Sequence, residues 1–285
     1  MVKGVGQMAS LFKSMKYVLK ENFTNKYRIY SISKYELLSD MRDSKLGLFW
    51  NFAHPLIQVL TYWFAFGYVF NRKAVTAYGV TTPYIAWLIG GMVVWFFISP
   101  CITNGCNAVF SKVNVITKMK FPVSILPATV VFKELFNHCC LMVICVILQC
   151  FFGYYPCLQW FELIYYCLCA IIFAICLSLT TSVLNMLARD TRKLILACMR
   201  LLLYVTPILW DMGRIEANAP KWVIYIMKAN PIYYVVQGYR DCFFYHKGIL
   251  FYWKSMVCFW VITLVLFVVG SAIMYKFKHK FIDMI

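Results

Sequence analysis

Six apolar stretches recur along this 285-residue chain, at residues 48–70, 83–110, 125–152, 160–187, 194–210 and 251–274. A helix that spans a bilayer needs about 20 mainly apolar residues, so each stretch is a candidate span. A transmembrane barrel would instead need alternating segments of about 10 residues, and the sequence has none. The chain is therefore predicted to be an all-α polytopic membrane protein with six transmembrane helices.

Composition supports this class over a water-soluble one. Hydrophobic residues make up 62% of the chain and charged residues 14%, whereas soluble domains have about half and about a quarter. Most of the 13 cysteines lie inside apolar runs, and no CxxC or Cys/His spacing suited to zinc occurs. We therefore expect the thiols to pack as small hydrophobes rather than to bind a metal.

The distribution of positive charge predicts the topology. The predicted inner segments carry 18 Lys and Arg residues, and the predicted outer segments carry 7. Because cytoplasmic loops are enriched in Lys and Arg, both termini are expected in the cytoplasm, with the chain in the cell membrane. The net charge of +17 clusters at span ends, which argues against nucleic acid as a partner. Residues 1–47 form the predicted cytoplasmic segment and 48–285 the membrane domain.

Two regions outside the spans have distinct patterns. Residues 32–45 predict an amphipathic helix, with Glu36, Asp40 and Asp43 on one side and leucines on the other. It lies either on the inner membrane face or in solvent, and the sequence favours neither. Between residues 211 and 250, two short apolar runs, 222–227 and 233–236, predict re-entrant helices that dip into the outer leaflet.

The segment 111–127, SKVNVITKMKFPVSILP, separates the second and third spans. Its charges are all positive, and prolines close its far side. It predicts a short helix at the inner membrane surface. The sequence has no GxxxxGK[ST] motif, so no nucleotide cofactor is expected on this chain. We hypothesise that the segment receives mechanical work from another protein through Lys112, Val115, Lys118, Met119, Lys120 and Phe121.

Charged residues also lie within predicted spans. Lys133 and Glu134 lie about 12 Å into the third span at a rise of ~1.5 Å per residue, and Arg200 lies in the fifth. Asn137 and His138 follow one turn later, which predicts the i,i+4 pairs Lys133–Asn137 and Glu134–His138. Charges at this depth must be paired or hydrated. They form either the polar wall of a translocation path or an internal tie such as Glu134 to Arg200.

Aromatic residues make up 19% of the chain. Interfacial belts and packing account for many of them. The first two spans hold more aromatic residues than two interfacial belts require. Aromatic rings also stack on the apolar faces of sugars. The path candidates are Trp63, Phe66, Trp87, Trp95 and Phe96, with Lys133, Glu134, His138 and Arg200.

Three stretches carry a family resemblance: LGLFWNFAHPLIQVLTYWFAFGYVF, PYIAWLIGGMVVWFFISPCITNGCNAVFSKVNVITKMKFPVSILP and NPIYYVVQGYRD. They resemble ABC-2-type permeases, most of all the teichoic acid translocation permeases and the related O-antigen and capsule exporters. The resemblance covers about residues 30–280. It implies a permease homodimer with two ABC ATPase subunits, which bind the ATP and Mg. It also implies a coupling helix at about 113–121, an amphipathic gate helix before the first span, and exit-side re-entrant helices at 219–245.

The substrate implied by the resemblance is an undecaprenyl-type lipid-linked glycopolymer. Arg42 and Lys45 are candidates for holding its diphosphate headgroup, although such cations also serve topology alone. Two alternatives remain: an ABC-2 exporter of a small lipid or drug, and a membrane-embedded glycosyl- or acyltransferase. The transferase would use Glu134 and His138, the clearest buried catalytic candidates.

Overall fold

The structure is a computed structural model that describes residues 2–42, 49–118 and 121–277, and it is almost wholly helical. The helices are α1 Val2–Thr24, α2 Lys26–Arg42, α3 Phe49–Tyr62, α4 Tyr84–Cys106, α5 Ala108–Ser111, α6 Val113–Lys118, α7 Leu126–Phe151, α8 Glu162–Leu187, α9 Asp190–Val205, α10 Gly213–Asn218, α11 Lys221–Lys228, α12 Pro231–Arg240 and α13 Trp253–Phe277. Turns of π-helix extend α3 and α12, at Trp63–Val69 and Asp241–Tyr245, and turns of 3₁₀-helix precede α7, α8 and α13.

A β-hairpin joins α3 to α4. Strands β1 Ala74–Ala77 and β2 Val80–Pro83 pair antiparallel, with Ala74 opposite Pro83. The two turn residues, Tyr78 and Gly79, both have positive φ, at 54° and 80°. This backbone is that of the tight turn whose twist matches a hairpin.

Four helices of the described residues are long and apolar enough to cross a membrane: Tyr84–Cys106, Val123–Phe151, Leu158–Leu187 and Ile249–Phe277. They coincide with the second, third, fourth and sixth predicted spans. The first and fifth predicted spans correspond to α3 and α9, which have 14 and 16 residues. These two helices do not reach the length and apolarity of the other four.

Helix α4 forms the centre of the membrane domain. Of its most apolar 18-residue window, 72% is buried, against 22% for α7 and for α13. A helix that is hydrophobic on all sides is buried on all sides, and α4 packs against α7, α8 and α12. Gly90, Gly91, Pro100 and Gly105 predict a bent or broken second span. The first three lie within the continuous helix α4, whereas the helix does end at Cys106, directly after Gly105, and α5 begins at Ala108. Gly91 and Gly105 let Arg240 and Ser178 approach the backbone closely.

The end of the domain that the charge distribution predicts to face the cytoplasm is built from α1, α2 and α6, and we call it the inner end. Within the predicted cytoplasmic segment 1–47, α1 is a 23-residue helix that packs along α13. Val18 of α1 shares a buried apolar cluster with Ile116 of α6 and Met274 of α13. Helix α2 begins earlier than predicted, at Lys26 rather than residue 32, and packs along α7.

All 13 cysteines are free thiols. We therefore expect the thermal unfolding midpoint of the detergent-purified protein to be the same with and without dithiothreitol. Differential scanning fluorimetry with both samples in parallel measures this. A midpoint that falls when the reductant is added would reveal a disulfide and contradict the packing role of the thiols.

Candidate functional site: a polar cleft between membrane helices

A cleft of about 570 Å³ opens where α3, α4, α7 and α9 meet. Each helix contributes polar side chains to it: Asn51, His54, Asn104, Glu134, Asn137 and Arg200. Trp95 and Phe96 of α4 add aromatic surface. Four of the predicted path residues, Trp95, Phe96, Glu134 and Arg200, thus lie around one cavity although they come from three helices.

Glu134 is the centre of a hydrogen-bond network in this cleft. Its two carboxylate oxygens accept from Asn104 Nδ2 and Asn137 Nδ2, each at 3.2 Å. Asn137 Oδ1 in turn accepts from Asn51 Nδ2 at 3.1 Å. The network joins α4, α7 and α3, and it satisfies a carboxylate that is only 8% exposed. A buried polar group without such partners would be costly, so the network fixes the geometry of this wall.

Arg200 of α9 also lines the cleft, and its side chain is exposed. Among the described residues it forms no ion pair with Glu134, so the internal tie left open by the sequence is not formed. The predicted i,i+4 pairs are also replaced. Asn137 binds Glu134, and His138 Nε2 lies 3.0 Å from the hydroxyl of Tyr239. The cleft therefore presents a carboxylate and a guanidinium from different helices.

A smaller cavity of about 230 Å³ adjoins the cleft at its inner end. Asn104 and Glu134 line both spaces. The inner cavity adds three cations, Lys112, Lys133 and Arg192. The two cavities together form a polar route from the level of α6 into the membrane domain, and its cations are concentrated at the inner end.

Two of these cations tie helix α2 to the membrane domain. Lys112, which precedes α6, lies 2.7 Å from Glu36, and Lys133 of α7 pairs with Asp40. Ser33 Oγ of α2 also donates to the Thr129 carbonyl of α7 at 2.8 Å. Lys133 was predicted as a deep path residue. The structure instead gives it a partner on the inner helix, because α2 packs over the first turns of α7.

Several other predicted path residues lie outside the cleft. His138 is 2% exposed and is packed between Phe97 and Tyr239. Trp87 lies near the opposite end of α4 from α6. Trp63 and Phe66 are in the π-helical extension of α3, and neither lines the cleft. The sequence pattern does not distinguish these side chains from those that line the cavity, because tertiary packing determines which face of each helix borders it.

Of the remaining predicted residues, the structure describes the side chains of Phe121 and Arg42. Phe121 is half-buried and packs with Ile29 of α2 and Ile125. Arg42 ends α2 with its side chain exposed. Lys45, Met119 and Lys120 lie outside the described residues, as do the side chains of Val115 and Lys118.

The sequence analysis missed a buried clamp at the far end of the domain. Arg240 is 1% exposed and donates to the carbonyls of Pro207 and Ile208 at 2.7 and 2.6 Å. Its guanidinium lies over the ring of Trp87 at 3.4 Å. Asn230 caps α12 and binds Thr206 Oγ1 at 2.8 Å. Both residues belong to the NPIYYVVQGYRD stretch, so the signal was present but its partners were not predictable.

Four membrane-length helices, two of which line a cleft with polar side chains, are typical of a membrane transport protein. The chain belongs to the ABC-2 type transporter family, whose pattern matches residues 27–244. It is 27% identical over 256 residues to an O-antigen export system permease protein RfbA of Klebsiella pneumoniae, with 89% of this chain and 93% of the relative covered. It is 22% identical over 232 residues to the protein of that name in Myxococcus xanthus, with 81% and 85% covered.

Membership of this family identifies the chain as an integral membrane transport subunit and implies an ABC ATPase as its partner. The resemblance found in the sequence is thus confirmed. Glu134 and His138, the candidates for a transferase, bind different partners, Asn104 and Tyr239.

Proposed function

We propose that this chain is the permease subunit of an ATP-driven exporter that moves a lipid-linked cell-surface polysaccharide across the cytoplasmic membrane. The relatives named as O-antigen export permeases support this substrate class over a small lipid or drug. An O-antigen-like glycan and a teichoic acid both fit the class.

The observation that carries the proposal is the polar, aromatic-walled cleft. A glycan has hydroxyls that need hydrogen-bond partners and apolar ring faces that stack on aromatic side chains. The cleft offers the amides of Asn51, Asn104 and Asn137 and the rings of Trp95 and Phe96. Each amide nitrogen carries two N–H groups, so an amide that donates one hydrogen bond within the Glu134 network can donate a second to a sugar hydroxyl. A small apolar ligand would form no such bond.

The inner cations suit the lipid-linked end of such a polymer. A diphosphate is held best by charge-assisted hydrogen bonds from Arg and Lys. Lys112, Lys133 and Arg192 line the inner cavity, and we propose that they act with Arg42 and Lys45 on the headgroup. Lys112 and Lys133 are already paired with α2, so headgroup binding would compete with those ion pairs and loosen α2.

We propose that α6 and the residues after it form the contact with the ATPase. The contact residues are Lys112, Val115, Lys118, Met119, Lys120 and Phe121. Movement of α6 is then transmitted to the wall of the cleft that holds Glu134. The transmission uses the Lys112–Glu36 ion pair and the contacts of α2 with α7.

A functional transporter would contain two copies of this chain and two ATPases. We propose that α3 and α9 act as the first and fifth of six spans and face the second copy. They bound the cleft and carry exposed apolar side chains, including Leu56, Ile57, Leu194 and Leu201. Helices α11 and α12 would be the re-entrant pair on the outer side.

Charge reversal at the proposed contact tests this function. We expect Lys118→Glu with Lys120→Glu to reduce both ATPase copurification and polysaccharide export by about tenfold or more, because two favourable ion pairs become repulsive. The measurements are affinity purification in mild detergent and quantitative blotting of surface polysaccharide.

A matched control is Lys13→Glu with Lys16→Glu, which makes the same charge change at exposed positions of α1. We expect it to leave both measurements near the wild-type values. Equal copurification and export by the Lys118/Lys120 variant would show that the ATPase binds elsewhere.

A further inference from the structure

A third cavity, of about 210 Å³, lies at the other end of the domain from α6. It is bounded by the β1–β2 turn and by α10, α12 and the start of α13. It shares no lining residue with the polar cleft. Helix α4 connects the two regions, since Trp87 near its start lines this cavity and Asn104 near its end lines the cleft. We call this space the outer pocket.

Tyrosines from four separate segments converge on the outer pocket: Tyr78, Tyr233, Tyr234, Tyr245 and Tyr252. The hydroxyls of Tyr78 and Tyr252 hydrogen-bond to each other, and the rings of Tyr78 and Tyr245 meet edge to face at 5.5 Å. Tyrosine offers an apolar face and a polar tip. A wall of tyrosines therefore suits a ligand that is itself apolar on its faces and hydroxylated at its rim.

Tyr78 is held in an unfavourable backbone conformation. Its φ is 54°, in the left-handed region that a bulky residue rarely adopts. Asparagine at this turn position would be relaxed and would favour the hairpin. Backbone strain of this kind is concentrated at functional sites, so the conformation of Tyr78 supports a functional role for its ring.

The charged side chains that line the outer pocket are one cation and two carboxylates, so the lining has no excess of positive charge. Lys228 is neutralised by Glu216 at 2.7 Å, and Asp211 adds a further carboxylate to the lining. A phosphate needs uncompensated cations, which this lining does not supply. Gln237 donates to Asp241 at 3.0 Å, and its amide oxygen accepts no hydrogen bond from the described residues. These acceptors suit the hydroxyl donors of a neutral ligand.

The volume limits the size of that ligand. Pockets for drug-sized molecules measure about 300–1,000 Å³, and the outer pocket is smaller at about 210 Å³. It accommodates a single ring rather than an oligosaccharide or a lipid tail.

We propose that the outer pocket binds one neutral pyranose ring, and that it holds a sugar of the exported glycan where the polymer leaves the permease. This inference rests on the proposed function. The tyrosine rings stack on the sugar faces, while Gln237, Glu216 and Lys228 bind its hydroxyls. A site at the exit would hold the emerging chain against backward sliding between power strokes.

Saturation-transfer difference NMR tests the pocket directly, on the permease–ATPase complex in lipid nanodiscs. The probes are D-mannose, D-galactose, L-rhamnose and N-acetyl-D-glucosamine, each at millimolar concentration. We expect transfer to at least one sugar. The transfer should fall about fivefold or more in Tyr78→Asn and in Glu216→Gln with Lys228→Met, because stacking and polar contacts are worth about 1 kcal/mol each.

Tyr155→Asn is the matched control, since Tyr155 is exposed and lies in the turn after α7, outside the pocket. It should keep the wild-type signal. Asparagine relaxes the turn, which offsets the lost contacts of the Tyr78 ring with Tyr245 and Tyr252. We therefore expect the thermal midpoint of Tyr78→Asn to match that of the wild type, and this measurement separates loss of the site from misfolding. Absence of transfer from every sugar, an unchanged signal in Tyr78→Asn, or displacement by inorganic phosphate would overturn the proposal.

Surface polysaccharide measured in cells separates the two proposals. Export by the wild-type complex without any sugar transfer would refute the outer pocket and leave the proposed function in place. Transfer that depends on Tyr78, without export of any polysaccharide, would support the pocket and refute the function.

Discussion

Replacing Glu134 by leucine is expected to abolish polysaccharide export, because this carboxylate holds together the wall of the polar cleft. The change leaves Asn104 Nδ2 and Asn137 Nδ2 without their acceptor. Each unsatisfied buried donor costs about 1–3 kcal/mol. We expect the wall to rearrange and surface polysaccharide to fall about tenfold or more. The measurement is quantitative blotting in a host that lacks its own exporter.

Two further variants interpret this result. Glu134→Gln keeps the volume and one acceptor oxygen, so its export should lie between those of leucine and wild type. Phe132→Leu is the control, because Phe132 is an exposed position on the same helix. It should export normally. Full export by Glu134→Leu, with normal protein levels, would remove the cleft from the translocation path.

The sequence predicted the class and the spans well because those properties are local. An apolar run long enough to span a bilayer is read from consecutive residues, and four of the predicted spans match membrane-length helices of the described residues. The short helix in the 111–127 segment was also predictable, since α6 occupies Val113–Lys118. Its role in coupling stays a prediction.

What the sequence could not predict depends on which helices become neighbours. Lys133 and Glu134 are adjacent in the chain, yet one binds Asp40 of α2 and the other binds Asn104 of α4. From the sequence alone, Pro100 and the glycines of α4 predict a break in the helix. In a crowded core, however, a glycine also permits close contact between its backbone and a neighbouring side chain. Gly91 shows this, since a Cβ there would lie 2.3 Å from Arg240 Nη2.

The aromatic residues illustrate the same limit. Trp87 and Trp95 are two turns apart on α4, and both were predicted for one path. The structure places Trp87 at the outer pocket and Trp95 at the cleft. Composition identified an excess of rings, but only the packing of α12 and α3 against α4 assigns each ring to a cavity.

The second large effect is expected from Arg240→Lys, at the buried clamp between α12 and the chain after α9. The planar guanidinium donates to two carbonyls and stacks on Trp87. A lysine ammonium cannot do all three at once. We expect a loss of about 2–4 kcal/mol of stability, seen as a lower thermal midpoint in detergent. Export should fall as well, because α9 lines the cleft and ends at this corner.

Gly91→Ala tests the same clamp from the other side. A methyl group at position 91 would displace the Arg240 guanidinium. The thermal midpoint of Gly91→Ala should therefore be lowered, as in Arg240→Lys. Each variant has a control. Arg189→Lys alters an exposed arginine that lies 5.1 Å over Phe110, and Gly248→Ala adds a Cβ whose nearest neighbour is at 3.8 Å. If all four variants unfold at the wild-type temperature, Arg240 does not secure α12, and the attachment of this helix depends on its apolar face alone.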